Sequence, residues 1–349
     1  MKILIRKIFL FLLVPLLFIL FIELFLPLST FTFRGYEALL FNNEIPHLGH
    51  FYPNQDIEVK AEGDLCHHSN FAIKKNEKWI TDKIGFRNNY FIPKADVVFL
   101  GNSFIYGTGL AQQDIISNQL ITKFKNRLKV YNMAPSTMGE FDYYLRNRII
   151  KKPKYIILGL GEMSVSGGYV PFDHGKDSYV KEILKKLFYS GFNTVVDRST
   201  RFYSIKWVKA RMKKLINIGV RGEMNNKMFF GQGKNPKELN AKELEESING
   251  IVSCKKYCDS LNIKFIFIPT PNKETIYFDY VRIGKQSNYI SKLIDGLKQY
   301  NVNCINTVEL FNQYRMYNNE LLYHLDDTHW NAVGISLVVN KLKDFIVIQ

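Results

Sequence analysis

The chain has 349 residues, 46% hydrophobic and 23% charged, which is enough apolar material for a large core and excludes disordered, collagen-like and coiled-coil classes. Four cysteines in that length exclude a scaffold built on disulfides. With 47 Lys and Arg against 32 Asp and Glu, the net charge is +15, which points to an anionic partner: nucleic acid, lipid headgroup or acidic glycan.

The first element is a membrane segment. Lys2, Arg6 and Lys7 form a basic head, and Ile8 to Leu28 are apolar apart from Pro15, Glu23 and Pro27. That run is 21 residues long, against the ~20 needed to cross a bilayer as a helix. Charge placed before the span predicts a cytoplasmic N-terminus and an extracytoplasmic remainder. No small-x-small cleavage site follows, so residues 1–30 are expected to be an uncleaved, single-pass anchor; a cleaved signal peptide is the alternative. Glu23 is costly inside the span unless it lies near the outer interface or pairs with another helix. An outward domain removes nucleic acid from the expected partners and makes disulfides permissible. Cys254 and Cys258 are four apart in a helix-like stretch, and Cys66 and Cys304 stand alone. Three pairings or four free thiols fit equally, and no spacing fits a zinc site, so no metal or organic cofactor is expected.

Residues 31–95 read as an irregular, strand-poor lead-in. From 96 to 349 strands and helices alternate. Strands are expected at 96–100, 129–132, 155–160, 264–269 and 302–305, and helices at 115–127, 141–150, 243–261, 289–300 and 332–346. Such alternation predicts a parallel sheet covered on both faces, a three-layer α/β/α domain of flavodoxin-like type. A basic insertion, taken as a helical cap at about 176–240, interrupts it. Residues 176–234 hold 14 Lys and Arg against four Asp and Glu. Val208, Met212, Leu215 and Ile216 share one helical face there, with Lys209, Arg211, Lys213 and Lys214 elsewhere. A solvated cap and a surface for anionic lipid or acidic glycan are both consistent with this pattern.

Two short motifs carry chemistry. The first strand runs Val97-Val98-Phe99-Leu100 into Gly101-Asn102-Ser103-Phe104. In open α/β sheets ligands bind at the carboxyl ends of strands, and a Ser held there beside a helix N-terminus is placed for acyl chemistry. Such a Ser needs a base. Asp326-Asp327-Thr328-His329-Trp330-Asn331 offers His329, with a carboxylate two or three residues earlier to fix its tautomer.

These two blocks resemble the first and last blocks of the SGNH (GDSL-like) hydrolase superfamily, with Asn102 where Asp is usual. The Asp-Thr-His-Trp form is similar to that of polysaccharide O-acetyltransferase domains of the alginate type. Thr81-Asp82-Lys83-Ile84-Gly85-Phe86-Arg87-Asn88 is similar to a lead-in of membrane-anchored members. Pro271-Asn272-Lys273 through Tyr277 resembles a Pro-x-Lys-x-x-x-Tyr stretch of the acetyltransferase relatives. The resemblance covers roughly residues 80–345. It implies a Ser103–His329–Asp triad, with Asp327 preferred over Asp326. It also implies an oxyanion hole from the backbone of Ser103, Thr137 and Gly161, Thr137 standing where the family has Gly. Met163 stands where the family has an oxyanion-binding Asn, and a thioether donates no hydrogen bond. The implied activity is O-acyl transfer or ester hydrolysis on an extracytoplasmic polysaccharide, with a membrane-bound acyl-donor partner in the transfer case. A non-catalytic glycan-binding protein on the same scaffold is the alternative. The carboxylate left out of the triad is expected to face solvent or to cap the helix after Trp330.

Overall fold

The structure, a computed structural model, describes residues 2–26, 30–40, 49–67, 69–163, 168–171, 203–216, 222–231, 240–281 and 286–347. Helix α1 (Lys2–Phe25) is followed by a short α2 (Gly35–Leu39) and an antiparallel pair, β1 (Asp56–Ala61) and β2 (Lys75–Ile80). The alternating domain then runs β3 (Val97–Gly101), α3 (Ser103–Tyr106), α4 (Ile116–Lys123), β4 (Val130–Asn132), α5 (Met138–Arg146) and β5 (Tyr155–Gly161). Helix α6 (Tyr203–Leu215) and the hairpin β6 (Gly222–Asn225) and β7 (Met228–Gly231) come next. The chain continues with α7 (Ala241–Ser260), β8 (Lys264–Thr270), α8 (Lys273–Ile276), α9 (Phe278–Val281) and α10 (Tyr289–Lys298). It closes with β9 (Asn303–Cys304), α11 (Thr307–Tyr317) and α12 (Ala332–Leu342).

The central sheet has the order β4-β3-β5-β8-β9, and every pairing is parallel. Within the sheet this is the 2-1-3-4-5 order of flavodoxin-like folds. The strands are apolar on both faces, and their two-residue period divides the core. Val97, Phe99, Tyr155, Ile157, Ile266 and Ile268 meet α4 and α12 on one face. Val98, Leu100, Ile156, Leu158, Phe265 and Phe267 meet α5, α7 and α10 on the other. This is the predicted three-layer architecture. The chain leaves β3 toward β4 on one side and returns to β5 on the other, so the carboxyl end of β3 is the topological switch point.

The structure differs from the sequence reading in several details. The lead-in holds a two-stranded sheet: in β1 Asp56, Glu58 and Lys60 alternate with inward Ile57, Val59 and Ala61, an alternation masked by weak strand formers. Helix α5 starts at Met138 rather than 141, because Thr137 and Glu140 form a capping box. The region taken as a helical cap contains the β6–β7 hairpin as well as α6; its residues 176–202, 217–221 and 232–239 lie outside the described residues.

Candidate active site

The position of Ser103 is built by backbone constraint. Gly101 closes β3 with φ +136°, and a side chain there would stand 2.1 Å from the Gly159 carbonyl oxygen on β5. Only Gly lets the two strands cross this closely with that turn. Asn102 then caps α3, its Oδ1 accepting the Phe104 N–H at 3.1 Å. Ser103 follows as the first residue of α3, half-buried.

The lead-in stretch Thr81–Asn88 holds this turn from behind. The fully buried Arg87 donates to the carbonyls of Tyr106, Gly107 and Leu110 at 3.1, 2.6 and 2.7 Å and lies over the Trp79 ring at 3.7 Å. A cation at the carboxyl end of so short a helix satisfies carbonyls that have no helical partners. Burial lowers its pKa to about 9, with Glu77 opposing. Asp82 accepts from the amides of Ile84 and Phe86 and from the Tyr131 hydroxyl, tying the same stretch to β4.

His329 Nε2 lies 2.7 Å from Ser103 Oγ, and its Nδ1 lies 2.5 Å from Asp327 Oδ1. A carboxylate only accepts, so Nδ1 carries the proton and Nε2 is left to accept the Ser103 hydroxyl. Phe104 packs against the imidazole with centroids 4.8 Å apart. The structure therefore brings Ser103, His329 and Asp327 into one hydrogen-bonded chain at the switch point.

Asp326 does something else, and its expected position is corrected. It is 1% exposed, not solvent-facing, and it caps no helix; Asn331 caps α12 instead. Asp326 Oδ2 accepts the amides of Gly63 and Ile73 at 2.9 and 3.0 Å, and Oδ1 accepts Lys75 Nζ at 2.8 Å. All three donors come from the lead-in, which closes over the loop.

The lead-in also reaches Asp327. Arg34 Nη2 donates to Asp327 Oδ2 at 3.3 Å, and the Asp64 amide donates to the same oxygen at 3.2 Å. Asp64 in turn accepts from the Thr328 amide and hydroxyl at 2.8 and 2.6 Å. Burial pushes the Asp327 carboxyl up. The hydrogen bond from His329 and the Arg34 and Lys75 charges outweigh it and hold the carboxyl well below the usual carboxylate range. Burial works against the Arg34 charge too, but Asp327 and Asp64 raise its pKa above the ordinary value. From the other side Lys273 Nζ donates to the carbonyls of His324, Leu325 and Asp327 at 2.6, 3.0 and 3.1 Å. Its burial lowers its pKa to about 8, against the pull of Asp327 and Glu274.

Asp64, Asp327 and His329 offer ligand atoms within 4.8 Å of one another. Arg34 already stands as the cation beside both carboxylates, at 3.3 and 4.0 Å, so the donor set suits an ion-paired support rather than a metal.

The expected oxyanion positions divide. Ser103 has no intrahelical acceptor for its N–H. The Thr137 N–H donates to Glu140 Oε2 at 2.7 Å, within the capping box that starts α5. Gly161 ends β5 opposite Thr270, and Met163 is exposed. All four cysteines are free, and burial pushes the Cys66 thiol up to about 12.

Sequence reasoning missed Arg34, Asp64 and Lys75. They lie more than 250 residues from the loop they hold, and only their charge, next to residues that become buried, marked them.

No family model matches the chain, and no curated protein does. Among solved structures it is similar to an acetyl xylan esterase, AlAXEase, with 12% identity and a TM-score of 0.37 over 72% of this chain and 99% of that one. It is similar also to the lipase/acylhydrolase from Enterococcus faecalis, with 11% identity and a TM-score of 0.35 over 72% and 97%.

Proposed function

We propose that the chain is an SGNH-type acyl-ester enzyme, anchored in a membrane by α1, that transfers or hydrolyses O-acyl groups on an extracytoplasmic polysaccharide. The observation that carries the reading is the Asp327–His329–Ser103 hydrogen-bonded chain, ending at 2.7 Å on Ser103 Oγ. Ser103 Oγ attacks the acyl carbonyl carbon while its proton passes to His329 Nε2. The tetrahedral oxyanion is held by the Ser103 N–H, and collapse expels the leaving alkoxide, which takes the proton back from His329. A sugar hydroxyl or water then attacks the acyl-Ser103, His329 accepting its proton, and collapse breaks the Ser103–acyl bond and returns that proton to Ser103 Oγ. Asp327, fixed by Arg34, keeps the imidazole in the working tautomer and balances its charge.

The anchor supports an envelope location. The span Arg6–Phe25 is 20 residues long, about 30 Å as a helix, enough to cross a bilayer. Its positive head supports an outward-facing enzyme domain. The Pro-x-Lys stretch supports the acetyltransferase branch, because Lys273 is the residue that clamps the carbonyls of the base loop. Transfer requires an acyl donor delivered across the membrane.

The test is hydrolysis of a small aryl acetate by wild type and Ser103→Ala. Turnover is expected to vanish in the variant with its unfolding midpoint unchanged, and wild-type hydrolysis is expected to fall when an acceptor glycan competes with water. One observation favours a second reading, a non-catalytic glycan-binding protein: the Thr137 N–H is committed and Met163 supplies no donor, and losing one oxyanion donor typically costs ~10²–10³ in rate. Wild type and Ser103→Ala equally inert, with a glycan still bound, would select it.

A further inference from the structure

Helix α6 presents two opposite faces of different character. Ala210 is buried, Trp207 is half-buried against Phe31 in an edge contact at 6.3 Å, and Lys214 reaches Glu62 at 3.8 Å. These side chains point into the molecule. On the other side Ile205, Val208, Met212, Leu215 and the following Ile216 form a continuous exposed stripe, with Met212 61% and Leu215 85% exposed. The spacing 205, 208, 212, 215, 216 keeps all five within about 100° of arc. Lys209 and Lys213 flank the stripe on one side and Arg211 on the other, and Tyr203–Leu215 contains no acid. A soluble domain has no use for such a stripe facing water.

Its position supplies the occupant. Glu23 lies two residues before the end of α1, buried, and its Oε1 accepts the Ser204 amide at 2.6 Å. So α6 starts at the level where α1 ends its apolar run. An apolar stripe edged by Lys and Arg, set beside the mouth of a spanning helix, has the pattern of a helix lying in the headgroup layer. Its cations complement anionic lipid, and long basic side chains reach the phosphates while their stems stay apolar.

We propose that α6 is an interfacial helix that lies in the anionic headgroup layer next to the exit of α1, holding the catalytic domain against the bilayer. The proposal rests on α1 being an anchor. Its partner is the lipid surface rather than a glycan, because an acidic glycan would use the cations and leave five apolar side chains in water. The wiring runs on to the site: Lys214 pairs with Glu62, and the next residues, Gly63 and Asp64, donate to Asp326 and Asp327. The site is therefore fastened to the part of the molecule that touches lipid.

The test uses the full chain reconstituted in bilayers containing phosphatidylglycerol, with single labelled positions and brominated lipids as quenchers. Met212→Cys, Phe11→Cys and Met316→Cys each carry an environment-sensitive fluorophore, and the unsubstituted chain gives the background from Cys304. The Met212 label is expected to shift to shorter wavelength and to be quenched roughly twofold by bromines near the top of the acyl chains. The Phe11 label is expected to be quenched by deep bromines, and the Met316 label by neither. Adding Lys209→Glu and Lys213→Glu, or replacing phosphatidylglycerol with phosphatidylcholine, should release the Met212 label. A quenched Phe11 with Met212 behaving like Met316 overturns the proposal and leaves the anchor standing. An unquenched Phe11 removes the anchor and the proposal with it. Shielding of Met212 by a soluble acidic glycan, and not by the bilayer, also overturns it.

Discussion

The adjacent carboxylates Asp326 and Asp327 should fail in different ways when each is replaced by Asn. Asp326 holds three donors from the lead-in, one of them Lys75, and touches neither Ser103 nor His329. An Asn there can satisfy the two amides through its oxygen but turns an NH₂ toward the Lys75 ammonium. Breaking a buried ion pair by removing one partner costs about 3–5 kcal/mol, and because Lys75 keeps partial exposure the lower end, about 3 kcal/mol, applies. At roughly 2–4 °C per kcal/mol for a domain of this size, the melting midpoint should fall by about 6–12 °C. Turnover of an aryl acetate by the folded protein at low temperature should stay within about threefold of wild type, since the relay is untouched. Asp327→Asn should do the reverse in rate. The amide would donate toward Nδ1 and impose the wrong tautomer, so kcat should fall by ~10³–10⁴. The paired measurement is thermal unfolding and single-substrate kinetics on both variants. An Asp326→Asn protein with an unchanged midpoint and a lost kcat would refute the assignment of these two neighbours.

Gly101→Ala should prevent folding or cost several kcal/mol, because the new Cβ would meet the Gly159 carbonyl at 2.1 Å at a φ that L residues avoid; an unfolding free energy from urea titration within about 1 kcal/mol of wild type would contradict this. His324 buries an Nε2 that has no partner among the described residues, and burial, with Lys75, lowers its pKa to about 3. Between that value and the free value near 6.5 only the unfolded chain binds the proton, so stability rises with pH through the window and is lost on acidification, by about 2 kcal/mol at pH 5. Urea midpoints of wild type should drop between pH 7 and pH 5, and His324→Gln should flatten that slope.

The sheet was legible because β3, β5 and β8 are unbroken apolar runs set between amphipathic helices, a pattern local to each element. The Ser and His blocks were legible for the same reason: each is a few residues long and carries its geometry in its own turn, Gly101-Asn102 before Ser103 and Asp327 two before His329. What escaped was non-local. Nothing near Arg34 or Asp64 signals a partner at Asp327, and nothing near Asp326 says that it faces Gly63 and Lys75 rather than water. Thr137 and Glu140, three residues apart, spell a capping box, and that local signal marks the start of α5 at Met138. Helix α11 went unread although Asn306 and Glu309 mark its start, because its apolar positions are sparse.

The staples between the lead-in and the base loop join residues 263 apart in the sequence. Closing a loop of that length costs entropy that local contacts do not, each doubling adding about 0.6 kcal/mol, so these bonds form after the sheet exists to bring their partners near. During synthesis Ser103 emerges more than 200 residues before its base, and the support for that base, Arg34 and Asp64, emerges earlier still. A growing chain therefore carries the Ser103 hydroxyl without its imidazole partner until the C-terminal segment has been made. Ser103 and the imidazole meet only in the closing event that seats the final α12 on the sheet and fastens the lead-in over it, so the hydrogen-bonded chain is a product of the finished fold rather than of any local segment.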